Sequence, residues 1–261
     1  MTMKLAGRAV AVLAVAAVSL SGCKSDDPVA APAPGVTTPA ATSEAPAPSP
    51  SESAAADNGV AKLSADAILK KATTALAAAK SFHVSGNDVD GGQKILVDLK
   101  IAGKDGTGQI TVGKAKLELL TVGGGRYFKA NQAFWEQNAG GAQKAKVIVT
   151  VVGDRWVKVP AGDKNFAGMF DLFKVSDTLK PDGKVTKGAA KEVGGVPAIT
   201  LTGHGKEGGS MYIATTGQPL PLEIDGNDKS TLKFSDYGAT FADIKKPAAN
   251  QVLDFGAISG K

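Results

Sequence analysis

Cysteine occurs once in this chain, at Cys23, and histidine twice, at His83 and His204. A single cysteine excludes an internal disulfide and any paired-thiol redox chemistry. Neither H-E-x-x-H nor G-x-S-x-G is present, so the usual frameworks for a zinc hydrolase or a serine nucleophile are missing. His83 follows Phe82 at the start of a strand pattern and His204 stands between two glycines, placements that suit structural histidines better than acid–base catalysts. Apolar runs are short as well. The longest, Ala9 to Val18, falls below the roughly 20 residues a helix needs to cross a bilayer. No enzyme activity, cofactor or metal is therefore expected.

Two further patterns resolve into turns. Gly203-His204-Gly205-Lys206-Glu207-Gly208 fits G-x-G-x-x-G, but the strand-like Met211-Tyr212-Ile213 follows it where a dinucleotide site needs a helix, so a hairpin is expected. Asn87-Asp88-Val89-Asp90-Gly91 has calcium-loop residues without the glutamate that closes such a loop, and is also read as a turn.

What is there begins with Lys4 and Arg8 ahead of the Ala9–Val18 run, the layout of an export signal over residues 1–22. Leu20-Ser21-Gly22-Cys23 resembles a bacterial lipobox, which implies acylation of Cys23, with palmitate or a similar chain, as the first residue after processing. The competing fate is plain secretory cleavage that leaves a free thiol, a liability in an oxidising compartment. A diacylglycerol anchor would be effectively stable, each buried methylene contributing about 0.8 kcal/mol. The expected location is the extracytoplasmic face of the cell membrane.

Residues 23–60 are Ala, Pro, Ser and Thr with few acids, a composition that cannot offset its own ordering entropy and reads as a tether. Residues 61–261 read as one domain, carrying 27 Lys and Arg against 20 Asp and Glu. Nucleic acid is not an expected partner of an exported chain. The excess of bases fits either scattered solvated lysines or a patch for anionic lipid.

The domain opens on a helix from Ser64, its N-cap, to about Lys80, with the stripe Ile68, Ala72, Ala75, Leu76 and Ala79. The period then changes to two. Ile95, Val97, Leu99 and Ile101 alternate with Lys94, Asp98 and Lys100, and the pattern recurs in Leu117/Leu119, Leu222/Ile224 and Leu232/Phe234. Glycine-rich turns separate these runs, giving an antiparallel meander with one apolar face. Aromatics make up 5% of the chain, so Phe134-Trp135 and Phe166, Met169, Phe170, Phe173 stand out, the latter at helical spacing. They fit core packing or the wall of a ligand cavity. Val147–Val152 is β-branched yet lies among helical patterns, and its state stays open between strand and helix.

Signal, lipobox, Pro/Ala tether, an Ala-rich helix running into Lys80-Ser81-Phe82-His83-Val84, and a meander ending in Leu232-Lys233-Phe234-Ser235-Asp236-Tyr237-Gly238 together resemble the LppX/LprG family of actinobacterial lipoproteins. Arg126-Tyr127-Phe128-Lys129 and Thr216-Gly217-Gln218-Pro219-Leu220-Pro221 fit the same pattern. The family is similar in fold to the LolA and LolB carriers. The resemblance implies an α+β fold, a strongly bent antiparallel half-barrel with helices packed on its concave face, and binding or transfer of lipid or acylated molecules without catalysis. Candidate cavity residues are Val97, Leu99, Leu117, Leu119 and Leu222 on the sheet, with Phe134, Trp135, Phe170 and Phe173 above them. A monomer is expected. The alternative is a structural or sensing lipoprotein of the cell envelope, its core filled, acting through protein contacts.

Overall fold

The computed structural model describes residues 56–163, 166, 168–174, 179–181, 183–205, 208–227 and 229–256. The export segment, Cys23 and most of the tether lie outside them. Among the described residues no helix is long and apolar enough to cross a membrane.

Helix α1 spans Ala65–Ala78, and strands β1 (Ser81–Asp90), β2 (Gln93–Ala102), β3 (Asp105–Val112), β4 (Ala115–Val122) and β5 (Gly125–Ala130) follow. Helices α2 (Gln132–Asn138) and α3 (Ala142–Val152) interrupt the meander before β6 (Trp156–Val159) and a 3-10 turn at Gly168–Phe173. The chain then runs through β7 (Val185–Val193), β8 (Val196–Gly203), β9 (Ser210–Ala214), β10 (Pro221–Asp225), β11 (Thr231–Ser235) and β12 (Val252–Asp254). All twelve strands form one sheet in the order β12-β6-β5-β4-β3-β2-β1-β11-β10-β9-β8-β7. Only β12 against β6 is parallel. The two ends do not meet, so the sheet is an open half-barrel in an α+β fold: the alternating strands predicted the antiparallel meander, and the family resemblance implied the half-barrel.

Register turns that alternation into a continuous apolar face. Val157, Phe128, Leu119, Gly108, Leu99, Val84 and Phe234 are successive neighbours across seven strands. Leu99 and Leu119 are fully buried, while Lys94, Asp98, Lys116 and Glu118 on the other face meet water. Against the apolar face, α1 buries Ile68, Ala72 and Leu76. Lys187 of β7 reaches over to donate to the carbonyls of Ala61 (3.1 Å) and Leu63 (3.0 Å), fixing the chain where it enters α1.

Four readings of the sequence change, and a fifth that stayed open is settled. Ala56–Val60, placed in the tether by composition, pack on the domain: Asp57 bridges to Thr216, Asn58 donates to the Ala214 carbonyl, and Val60 is buried. Helix α1 stops at Ala78 because Lys80 turns left-handed (φ 65°), and the Ser64 hydroxyl makes no capping bond. Asn87–Asp90 are not a turn but the end of β1, with Asp88 buried against the Ser230 hydroxyl; the turn is Gly91-Gly92. Leu222 falls in a bulge where Pro221 faces Ile213 and Glu223 faces Tyr212, so Pro221 and Ile224 point inward and Leu222 is half-buried. Val147–Val152 is helical. Its β propensity yields to burial of Ala145 and Val152 in the core, and the Arg155 Nε closes the helix end by donating to the Val152 carbonyl (3.1 Å).

Candidate functional site

Asn131 sets the geometry of the helical region. Its Oδ1 accepts from the Phe134 amide (3.1 Å) as the N-cap of α2 and from the Lys116 amide (3.0 Å) at the start of β4. Its Nδ2 donates to the Lys114 carbonyl (2.8 Å). One side chain thus pins α2 to the β3–β4 turn and orients Phe134 and Trp135, two rings that meet edge to face with centroids 5.4 Å apart.

A layer of rings follows. Phe128 of β5 lies 5.7 Å from Trp135 and stacks on Phe166 at 5.2 Å, and Phe166 meets Phe255 edge to face at 4.8 Å. Phe255 is brought in by the parallel pairing of β12 with β6, where its amide donates to the Lys158 carbonyl (3.0 Å).

Between α2, α3, Phe166, Met169 and Phe255 lies a pocket of about 810 Å³. Its walls are Phe134, Trp135, Ala139, Val147, Ile148, Phe166, Met169 and Phe255, with Asn138 and Lys144 as the polar contributors. Among the described residues no carboxylate lines it. Asn138 Nδ2 is occupied by the Phe134 carbonyl (2.7 Å). The Trp135 indole N–H is buried with no hydrogen-bond partner among the described residues. An unsatisfied buried donor costs about 1–3 kcal/mol, and native proteins rarely leave one without a use.

The candidate cavity residues separate into two sets. Phe134 and Trp135 line the pocket. Val97, Leu99, Leu117, Leu119, Phe170 and Phe173 are buried in the continuous core instead, and Leu222 lies in its bulge. The space between sheet and helical layer is filled at this point, because Phe173 lies directly on Gly106 of β3. Asn131, Ile148 and Phe255 were not singled out from the sequence. Asn131 carries the helix N-cap signal, but Phe255 depends on a parallel pairing with no local signature. Cys23 lies outside the described residues.

The two histidines hold structure together. His83 Nε2 is 2.9 Å from Asp98 Oδ1 and its Nδ1 is 3.3 Å from Asp236 Oδ2, linking β1, β2 and the segment after β11. His204 pairs with the Thr186 hydroxyl at 2.7 Å beside the β8–β9 hairpin.

No protein-family profile and no curated protein sequence matches the chain. Among solved structures, it is similar to LprF from Mycobacterium bovis, at 13% identity over 71% of this chain and 97% of that one, with a TM-score of 0.47. It is also similar to the Mycobacterium tuberculosis lipoprotein LppX, at 13% identity over 65% of this chain and 93% of that one, with a TM-score of 0.38. A third likeness is to MucB in complex with MucA(peri), at 13% identity over 72% of this chain and 62% of that one, with a TM-score of 0.38. LprF and LppX belong to the family whose pattern the sequence resembles.

Proposed function

We propose that this chain is a lipid-anchored protein of the extracytoplasmic membrane face that binds or transfers a lipid or acylated molecule and catalyses no reaction. Residues 1–22 are its export signal, Cys23 its acylation site, the residues up to about 55 its tether and the remainder its binding domain, acting as a monomer. The observation that carries this reading is the aromatic pocket. Its 810 Å³ lies within the range of about 300–1,000 Å³ usual for small-ligand sites. Its walls suit one apolar chain, and Lys144, the charged side chain among the described residues that line it, suits an anionic headgroup. Burial of the chain would supply affinity at about 25 cal/mol per Å².

Native mass spectrometry of the full chain carrying Cys23→Ser, purified after export, tests this directly. The expected spectrum shows a bound phospholipid or fatty acid, absent from the Met169→Glu variant. A bare mass that stays bare after incubation with envelope lipids overturns the proposal. It would favour a structural or sensing protein acting through contacts, a reading supported by the filled space between Phe173 and β3.

A further inference from the structure

Helix α3 carries an exposed face that borders the pocket through Lys144 and Val147 and continues beyond it to Val151. Among the described residues three large hydrophobic side chains are exposed, and two of them, Val147 (63%) and Val151 (44%), stand one turn apart on this helix. Scattered surface apolar residues need no explanation. These are not scattered. Lys144, Val147 and Val151 fall on one stripe at a spacing of three and four, the exposed Lys146 stands on the flank about 100° round the helix from Val147, and Ala145 and Val152 on the opposite side are buried. The helix contains no acidic residue, and the Asp154 that follows it is offset by Arg155. Val147 is both exposed and part of the pocket wall, so it stands at the rim. The end of the helix is suited to a surface poor in water: the Arg155 guanidinium donates to the carbonyls of Val151 and Val152, so these last acceptors are not bare.

We propose that α3 is a docking helix for an anionic bilayer. It lies in the interface with Val147 and Val151 among the headgroups and upper acyl chains and Lys144 and Lys146 against lipid phosphates, which sets the pocket rim at the membrane surface. An exposed apolar stripe on a helix that also carries lysines favours lying in the interface plane, and the lysines select a negatively charged surface over a neutral one. The docking stands whether or not the pocket holds lipid, since Lys146 and Val151 do not line it.

The test is cosedimentation of the full chain carrying Cys23→Ser with phosphatidylcholine vesicles, with and without phosphatidylglycerol. Binding is expected only with phosphatidylglycerol, and is expected to weaken as salt is added. Lys146→Gln should lower it about fivefold, and Val151→Gln by a similar factor through lost apolar burial. Leu96→Gln removes an equally exposed apolar side chain from the wet face of β2 and should leave binding unchanged. Equal binding to neutral vesicles, an equal loss in Leu96→Gln, or no vesicle binding at all overturns the proposal. Thermal unfolding of each variant shows that the fold is intact. Uptake of a fluorescent fatty acid in vesicle-free solution separates the two readings. Lys146→Gln and Val151→Gln should leave uptake unchanged, and a chain that binds vesicles without taking up the probe keeps the docking while removing the pocket's role.

Discussion

Gly106 and Trp135 show why single residues in this chain carry more than their side-chain type suggests. A methyl group on Gly106 would stand on the Phe173 ring and 2.9 Å from the Lys100 carbonyl oxygen. Phe173 is held by the core and cannot swing away, so Gly106→Ala should destabilise the fold by about 1–3 kcal/mol, read as a lowered midpoint in denaturant unfolding. Trp135 is the opposite case, a large side chain whose single polar atom has no hydrogen-bond partner among the described residues. Trp135→Phe keeps an aromatic ring and removes the N–H. Removing an unsatisfied buried donor, whose burial costs about 1–3 kcal/mol, offsets the packing lost with the smaller ring, so the midpoint in denaturant unfolding should move little; a large drop would mean that the N–H has a partner. Little of this was legible in the sequence. Phe134 and Trp135 stood out because aromatics are scarce, but the alternating leucines that looked equally suited to a cavity fill the core, since periodicity tells which face is apolar and not how far apart two apolar faces lie.

At the scale of elements, strands were more legible than helices and far more legible than the pairing between distant segments. Ile95 to Ile101 declared its face because a period of two along a half-buried strand admits one arrangement. Val147–Val152 declared nothing, because β-branched residues are tolerated in a helix whose inner side is buried. The segment after β11 was silent too, although it is tied back by an ion pair, Lys100 Nζ to Asp243 Oδ2 at 2.7 Å. The hydrogen bond from Lys100 holds the Asp243 carboxyl below the usual carboxylate range, and the same bond raises Lys100. The carboxyl's contribution is therefore complete above its unfolded-state value and is lost as pH falls through the depressed one; the ammonium's is lost only as pH rises through its own raised value. Both groups are largely exposed, so solvent screening keeps the pair to about 0.5 kcal/mol. Asp243→Asn should lower stability by that amount at neutral pH, and the two proteins should converge in unfolding experiments below the carboxylate range. A difference that persists in acid would show that the side chain acts through something other than its charge.

For the whole molecule, a meander with one covered apolar face was legible because helix, strands and glycine turns all point to one apolar face that must be covered. The open half-barrel was implied by the family resemblance alone, since nothing local says whether the first and last strands of a long sheet meet. The two strands left at the ends are β7 and β12. β7 has a register shift between Lys187 and Ala190 and exposes Lys187, Lys191 and Glu192, while β12 has only three residues. Bulged, charged or very short edges are poor templates for another strand. That matters most for a protein held on a surface. Under the anchoring proposed at Cys23, copies would be confined to two dimensions, where collisions between neighbours are far more frequent than in solution and any pairable edge would zip molecules into rows. Blunt edges let such a population stay dense yet laterally mobile, each copy diffusing as one particle in the plane of the membrane.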